Sequence, residues 1–143
     1  MTSDETAAAY NETTRKLIFS VGYLVVSFGS LESYLQGVLS HLITRHQDVG
    51  MTVASIQSFE KCVQLILQIA GEKIKTPALA DELKEVATKW RKAEQSRNTF
   101  VHSNYMGSLD PHSVTRMKIN MKTKITMHEI KPEEIMNAAN YIS

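Results

Sequence analysis

The stretch Arg97-Asn98-Thr99-Phe100-Val101-His102-Ser103 decides how this chain is read. Its apolar pair, Phe100 and Val101, closes a stripe formed by Leu79, Leu83, Val86, Trp90 and Ala93. Spacings of three, four and seven residues along that stripe predict one long amphipathic helix. On an ideal helix each residue advances by about 100°, so Asn98 and His102 share a face. Arg97 lies about 140° from His102 on the same wheel, and only its long side chain can bring the guanidinium round to the imidazole. A fixed cation, a titratable ring and an orienting amide at one helix end are the parts needed to handle a phosphodiester. The ring moves protons near neutral pH, and the guanidinium offers forked donors to phosphate oxygens. The plainer reading of the same residues is a surface arginine, a helix-end amide and a histidine cation complementing the helix dipole.

Working towards the N-terminus, Thr76 is read as N-cap and Pro77 as the first residue of that helix. A second helix is expected from Val53 or Ser58 to Ala70, with Gly71 as its C-terminal stop and Gln47-Asp48-Val49-Gly50 as the loop before it. A first helix is expected over about residues 5–45, with Ser3 as a cap. Its apolar seam runs through Leu17, Val21, Leu24, Val25, Phe28, Leu31, Leu35, Val38, Leu39 and Leu42, with a kink expected near Gly22 or Gly29. Glu32 flanks the seam as a solvated residue or as the partner of a buried cation. His41 and His46 close this helix with no third metal ligand in view.

Towards the C-terminus the long helix is expected to reach about residue 104, ending before Gly107. The turn-forming run Ser108-Leu109-Asp110-Pro111-His112 follows. The period then changes from 3.6 to 2. Met117, Ile119 and Met121 are placed on one side of a strand, with Arg116, Lys118 and Asn120 on the other. Lys122-Thr123 turns the chain back, giving a hairpin over about residues 114–129. Arg116, Lys118, Lys122 and Lys124 make this hairpin a candidate RNA-binding surface; the competing role is a charged edge that prevents strand pairing. A last helix is expected over about 132–142, with Ile135, Met136, Ala139 and Ile142 inward. The fold class is therefore mainly α, an up-and-down helical bundle with a C-terminal β-hairpin and a short final helix, in a single domain.

The chain has 143 residues and a net charge of +1, so it carries no global polyanion-binding signal. Charge is nevertheless uneven, net −3 over residues 1–60 and +4 over residues 61–143. Cys62 is the sole cysteine, which excludes an intrachain disulfide and suits a reducing compartment. Asp4 and Glu5 near the start argue against a signal peptide. Leu17 to Phe28 is shorter than the roughly 20 residues a membrane span needs, so a cytoplasmic protein without membrane contact is expected. There is no P-loop, no GxGxxG and no carboxylate–histidine metal motif, so neither cofactor nor metal is expected.

Three helices with Arg97, the polar Asn98 and His102 closing the third resemble a HEPN domain. That family's motif is an arginine, four to six residues and a histidine, often with a polar residue directly after the arginine. Phe28-Gly29-Ser30-Leu31-Glu32 is similar to the family's first helix, where an acidic residue is common. The likeness in layout covers about residues 15–105. It implies a bundle that dimerises and brings two Arg–His sets to one cleft, acting as a metal-independent ribonuclease. Arg97, Asn98 and His102 would then be catalytic, with Glu32, Ser103 and Tyr105 as supporting residues. It also implies RNA as partner, and roles as a toxin or phage-defence effector with an antitoxin or other partner protein. Some HEPN toxins carry a modified tyrosine two residues after the histidine; here that position is Asn104, with Tyr105 one later. Non-catalytic members of the family give the alternative, an RNA-binding or protein-assembly module.

Overall fold

Thr2 opens the first helix through a reciprocal cap. Its hydroxyl accepts from the Glu5 amide at 3.3 Å, and its own amide donates to the Glu5 carboxylate at 2.7 Å. In this computed structural model, which describes residues 1–119 and 125–142, the cap is therefore Thr2 and not Ser3. Helix α1 (Ser3–Ile43) runs as one element through Gly22 and Gly29. It is followed by α2 (Gln47–Ser55), α3 (Phe59–Lys73), α4 (Pro77–Val101), β1 (Asn104–Gly107), β2 (Val114–Ile119), β3 (Ile125–Ile130) and α5 (Pro132–Ile142). The fold is mainly α, with 74% of the described residues in helices and one small antiparallel sheet. The strand order is β1-β2-β3, so the expected hairpin carries a third strand.

The chain divides into two compact units, Met1–Ser27 with Ser96–Ser143, and Phe28–Gln95. In the second unit, Leu35, Leu39, Val63 and Ile66 are essentially fully buried. Phe28 packs on Phe59 with ring centres 4.9 Å apart. Ser58 caps α3 by accepting from the Lys61 amide at 3.3 Å. Of the two starts expected for the second helix, Ser58 is the one observed, as the N-cap of α3, while Val53 lies in a separate helix, α2. The expected loop residues 47–50 form the first turn of α2, because the bare Gly50 lets that turn lie on Ser40. Gly71 does not stop α3, which continues to Lys73. On α4 the fully buried residues are Ala87 and Ala93, while Leu79 and Val86 of the expected inner stripe are exposed. They line a cavity of about 380 Å³ with Tyr34, Val38, Ile66 and Trp90. Small alanines allow close helix approach and leave the larger side chains at the groove.

In the first unit the core is Leu24 of α1, Val114 and Ile130 of the sheet, and Ile135 and Ala139 of α5. Leu17, Val21, Phe100, Val101 and Tyr105 pack around it. Val114 pairs with Ile130 across β2 and β3, which fixes the buried face of the sheet. Pleat alternation then puts Arg116 on the same face as Val114. The strand therefore presents the opposite face to the core from the one its alternation suggests. Ile119 of the expected apolar side is exposed, as are Ile125 and Met127 on β3. Lys122, Lys124 and the expected turn lie outside the described residues. The outward face of α1 is apolar as well, with Ile18, Phe19 and Val26 exposed. With both flanks included, α1 holds an 18-residue window of mean hydropathy 1.3, of which 22% is buried, so by length and composition it is long enough to cross a membrane. That window is longer than the Leu17–Phe28 run suggested.

Candidate functional site

The site forms where α4 stops. Val101 is its last helical residue and His102 stands on the turn that follows. The helix is therefore shorter than the expected limit of about 104, and Tyr105 belongs to β1 instead. Leaving the helix changes where the imidazole points. Arg97 Nη1 lies 3.1 Å from His102 Nε2, although the helical wheel separates the two residues. A guanidinium N–H can only donate, so this contact needs Nε2 to be the acceptor and hence unprotonated. His102 is exposed and Arg97 half-buried, so the pair is open to a ligand and rooted on its arginine side. Asn98 sits in the last turn of α4, half-buried, and makes no hydrogen bond with His102 among the described residues.

The turn is held by a set of bonds to the last carbonyls of α4. Ser103 Oγ donates to the Thr99 carbonyl at 2.6 Å. Tyr105 Oη donates to the Phe100 carbonyl at 2.5 Å. Arg116 Nη1 donates both to the Thr99 carbonyl and to Ser103 Oγ, each at 3.3 Å. Its Cζ stands 6.0 Å from the centre of the Phe100 ring. These bonds satisfy carbonyls that a helix end otherwise leaves open. Burial pushes the Tyr105 phenol up to about 12, with the Arg116 cation opposing the shift, so Tyr105 stays a donor at neutral pH. Ser103 and Tyr105 are thus brought to the Arg97–His102 turn.

The remaining candidates are placed elsewhere. Glu32 lies in the other unit, close enough to Cys62 that its charge adds to the effect of burial in pushing the thiol up. Lys118 is on β2, half-buried. Arg116 is not on a solvated strand face, since its guanidinium turns inward to α4. Because α4 ends at Val101 with no basic residue in its last turn, its C-terminal end takes this cation from another element. Val114, one pleat period before Arg116, marks the inward face. Among the described residues no group of three His, Cys, Asp or Glu is placed to hold a metal ion.

Elsewhere in the same unit, α1 is tied to the 108–111 turn. Tyr10 Oη donates to the Ser108 carbonyl at 2.8 Å and Thr13 Oγ1 to the Pro111 carbonyl at 2.6 Å. Ser108 and Ser113 both donate to the Glu129 carboxylate, the latter at 2.7 Å, which holds its pKa below the usual carboxylate value. Comparisons with protein-family models, with curated proteins and with solved structures give no match to this chain.

Proposed function

We propose that this chain is a metal-independent RNA endonuclease of the HEPN type, acting as a homodimer in which two Arg97–His102 pairs face one cleft. The observation that carries the reading is the 3.1 Å contact between Arg97 and His102 at an exposed helix end. In the resting pair the guanidinium occupies the lone pair of Nε2. A phosphate oxygen is a stronger acceptor for a guanidinium than a neutral imidazole is, because that bond is charge-assisted on both sides. Binding of the RNA backbone therefore draws Arg97 onto the phosphate and frees Nε2. His102 then takes the proton of the ribose 2′-OH. The O2′–P bond forms, the P–O5′ bond breaks, and the 5′-oxygen leaves with a proton, delivered by the second ring or by water. Arg97 stabilises the charge that builds on the phosphorane oxygens. The products are a 2′,3′-cyclic phosphate and a 5′-hydroxyl.

The dimer is supported by the apolar faces left open on the two long helices. Ile18, Phe19 and Val26 face outward on α1, and Leu79 and Val86 on α4. A C₂ arrangement is the commonest way for identical surfaces to cover one another.

The test is cleavage of single-stranded RNA by the purified protein. Cleavage persists in EDTA and stops when deoxyribose replaces ribose at the cut site. Absence of cleavage across varied RNAs, or a His102→Ala variant as fast as wild type, refutes the nuclease. The second reading, a non-catalytic assembly module, draws on the sheet. Met106, Ile119, Ile125 and Met127 are exposed on it, a surface suited to another protein. It forecasts no cleavage by wild type and retained partner binding in both site variants.

A further inference from the structure

Arg116 departs furthest from what its place in the sequence suggests. A charged residue in the middle of a short strand normally keeps its head group in water. Here the guanidinium turns inward. Among the described residues it forms no ion pair with a carboxylate, and its Nε is buried without a hydrogen-bond partner. Such burial costs free energy unless something specific offsets it.

What offsets it lies on α4. Nη1 reaches the Thr99 carbonyl and Ser103 Oγ, and the head group lies towards the Phe100 ring. These three residues bracket His102, two before it and one directly after. Ser103 is itself bonded to Thr99, so a single guanidinium nitrogen closes a three-membered polar knot. Across the strand pair Arg116 is opposite Tyr105, whose phenol holds the Phe100 carbonyl. The segment from Thr99 to Tyr105 is therefore fastened to the sheet on both sides of the exposed imidazole. Arg116 also supplies, from another element, the cation that the C-terminal end of α4 lacks in its own last turn.

We propose that Arg116 is a positioning residue for His102: clamped to Thr99, Ser103 and the Phe100 ring, its guanidinium fixes the turn from which the imidazole meets Arg97. The consequence for catalysis rests on the ribonuclease reading above; the consequence for the geometry of the turn does not.

Two measurements on Arg116→Met, Arg116→Lys and Ser103→Ala decide it. The first is single-turnover and steady-state cleavage. Misplacing a reacting group by about 1 Å costs on the order of 10²-fold in rate. Arg116→Met is expected to lower kcat by about 10- to 100-fold with KM nearly unchanged, and Arg116→Lys to recover part of the loss. In a His102→Ala background, Arg116→Met should slow the reaction no further. A raised KM with unchanged kcat would make Arg116 a direct RNA contact and overturn the proposal, as would losses that multiply with those of His102→Ala. The second measurement needs no RNA. Backbone ¹⁵N relaxation in folded Arg116→Met should show the His102 and Ser103 amides falling from a rigid order parameter of about 0.85 to below about 0.6. A turn that stays rigid overturns the proposal. If wild type cleaves no RNA, the ribonuclease reading fails and the relaxation result alone decides the clamp. If Arg116→Met does not fold, Arg116→Lys and Ser103→Ala are measured the same way, with smaller expected effects.

Discussion

Arg97 and His102 are five residues apart in the chain, yet their side-chain nitrogens are 3.1 Å apart. The contact exists because α4 ends at Val101 and the imidazole leaves from a turn. It also exists only while Nε2 is unprotonated, since two N–H donors cannot share a hydrogen bond. A ¹⁵N spectrum of the neutral imidazole should therefore show Nε2 as the accepting nitrogen, with a hydrogen bond that Arg97→Ala removes. Arg97→Ala should lower cleavage by about 10²- to 10⁴-fold and weaken RNA binding, because it removes a phosphate donor together with a cation. Arg97→Lys should keep most of the binding and lose most of the rate, since an ammonium keeps the charge without the planar fork. Equal rates for Arg97→Lys and wild type would show that charge alone is used.

Tyr105 is expected to matter for stability more than for chemistry. Tyr105→Phe leaves the Phe100 carbonyl without its donor, which should cost about 1–2 kcal/mol in denaturant unfolding. The pH dependence has a defined sign. The folded phenol is pushed up to about 12 from an ordinary 10, so the folded state binds this proton more tightly than the unfolded state does. Its contribution is complete below about pH 10 and is lost as pH rises towards about 12. The difference in stability between wild type and Tyr105→Phe should shrink across that window. Ultraviolet titration of the phenolate should show one late-titrating tyrosine that Tyr105→Phe removes. A difference that stays constant through the window would mean the phenol is not held in this way.

Much of this architecture was legible because long helices repeat their pattern. The seam of α1, apart from the exposed Val25, and the start of α4 at Pro77 follow from periodicity and capping chemistry. The misreadings fall where one residue carries the decision. Gly50 resembles a loop residue by composition, yet its missing side chain is what allows α2 to pack. Val114 fixes the sheet face through its pairing with Ile130, a contact between residues sixteen positions apart that alternation alone cannot supply. β1 is four residues long, too short to show a period of two. In the site, the types and spacing of Arg97 and His102 were readable. Their contact depends on where the helix stops, and the clamp depends on Arg116 arriving from another element.

Gly50 should not tolerate alanine. An added Cβ would stand 2.3 Å from Ser40 Oγ and 2.8 Å from the Ser40 carbonyl oxygen. The hydroxyl can rotate away, but the backbone oxygen cannot move without shifting α1 or α2. Gly50→Ala should therefore destabilise the protein by about 1–3 kcal/mol, against the usual gain of alanine over glycine in a helix. Adding Ser40→Ala should recover only the part due to the hydroxyl. Full recovery would show that the backbone contact is slack.

Arg91 and Glu60 form an ion pair at 2.9 Å, and the Arg91 hydrogen bonds hold the Glu60 carboxyl below its usual range. Both side chains are about two-fifths exposed, 42% and 40%, so solvent screens the pair. Arg91→Ala should cost no more than about 1 kcal/mol at neutral pH and less in high salt. Because the folded carboxyl has the depressed pKa, this contribution is present above its unfolded pKa and fades as pH falls through the folded one. A larger loss that salt leaves unchanged would point to packing by the arginine stem.

The outward face of α1 gives a prediction in which the monomer and the dimer respond with opposite signs. Ile18, Phe19 and Val26 are 68%, 65% and 67% exposed, and the Phe19 and Tyr23 rings stack with centres 6.2 Å apart. Gly22 lies among them, and a Cβ there would meet nothing within 4 Å. In an isolated chain Gly22→Leu should be harmless or stabilising by about 0.5–1 kcal/mol, because glycine is a poor helix residue. If α1 packs on its copy, the same side chain obstructs the closest approach of two helices and the dimer is lost. Light scattering at tens of micromolar should therefore report a dimer for wild type and a monomer for Gly22→Leu, with helical content retained. Val26→Glu should give the same result by placing a charge in the interface. Ribonuclease activity, where wild type shows it, should fall with the dimer, since one Arg97–His102 pair alone leaves the cleft half-built. A wild-type chain that is monomeric in solution and instead sediments with lipid vesicles would assign this face to a membrane and remove the dimer from the mechanism.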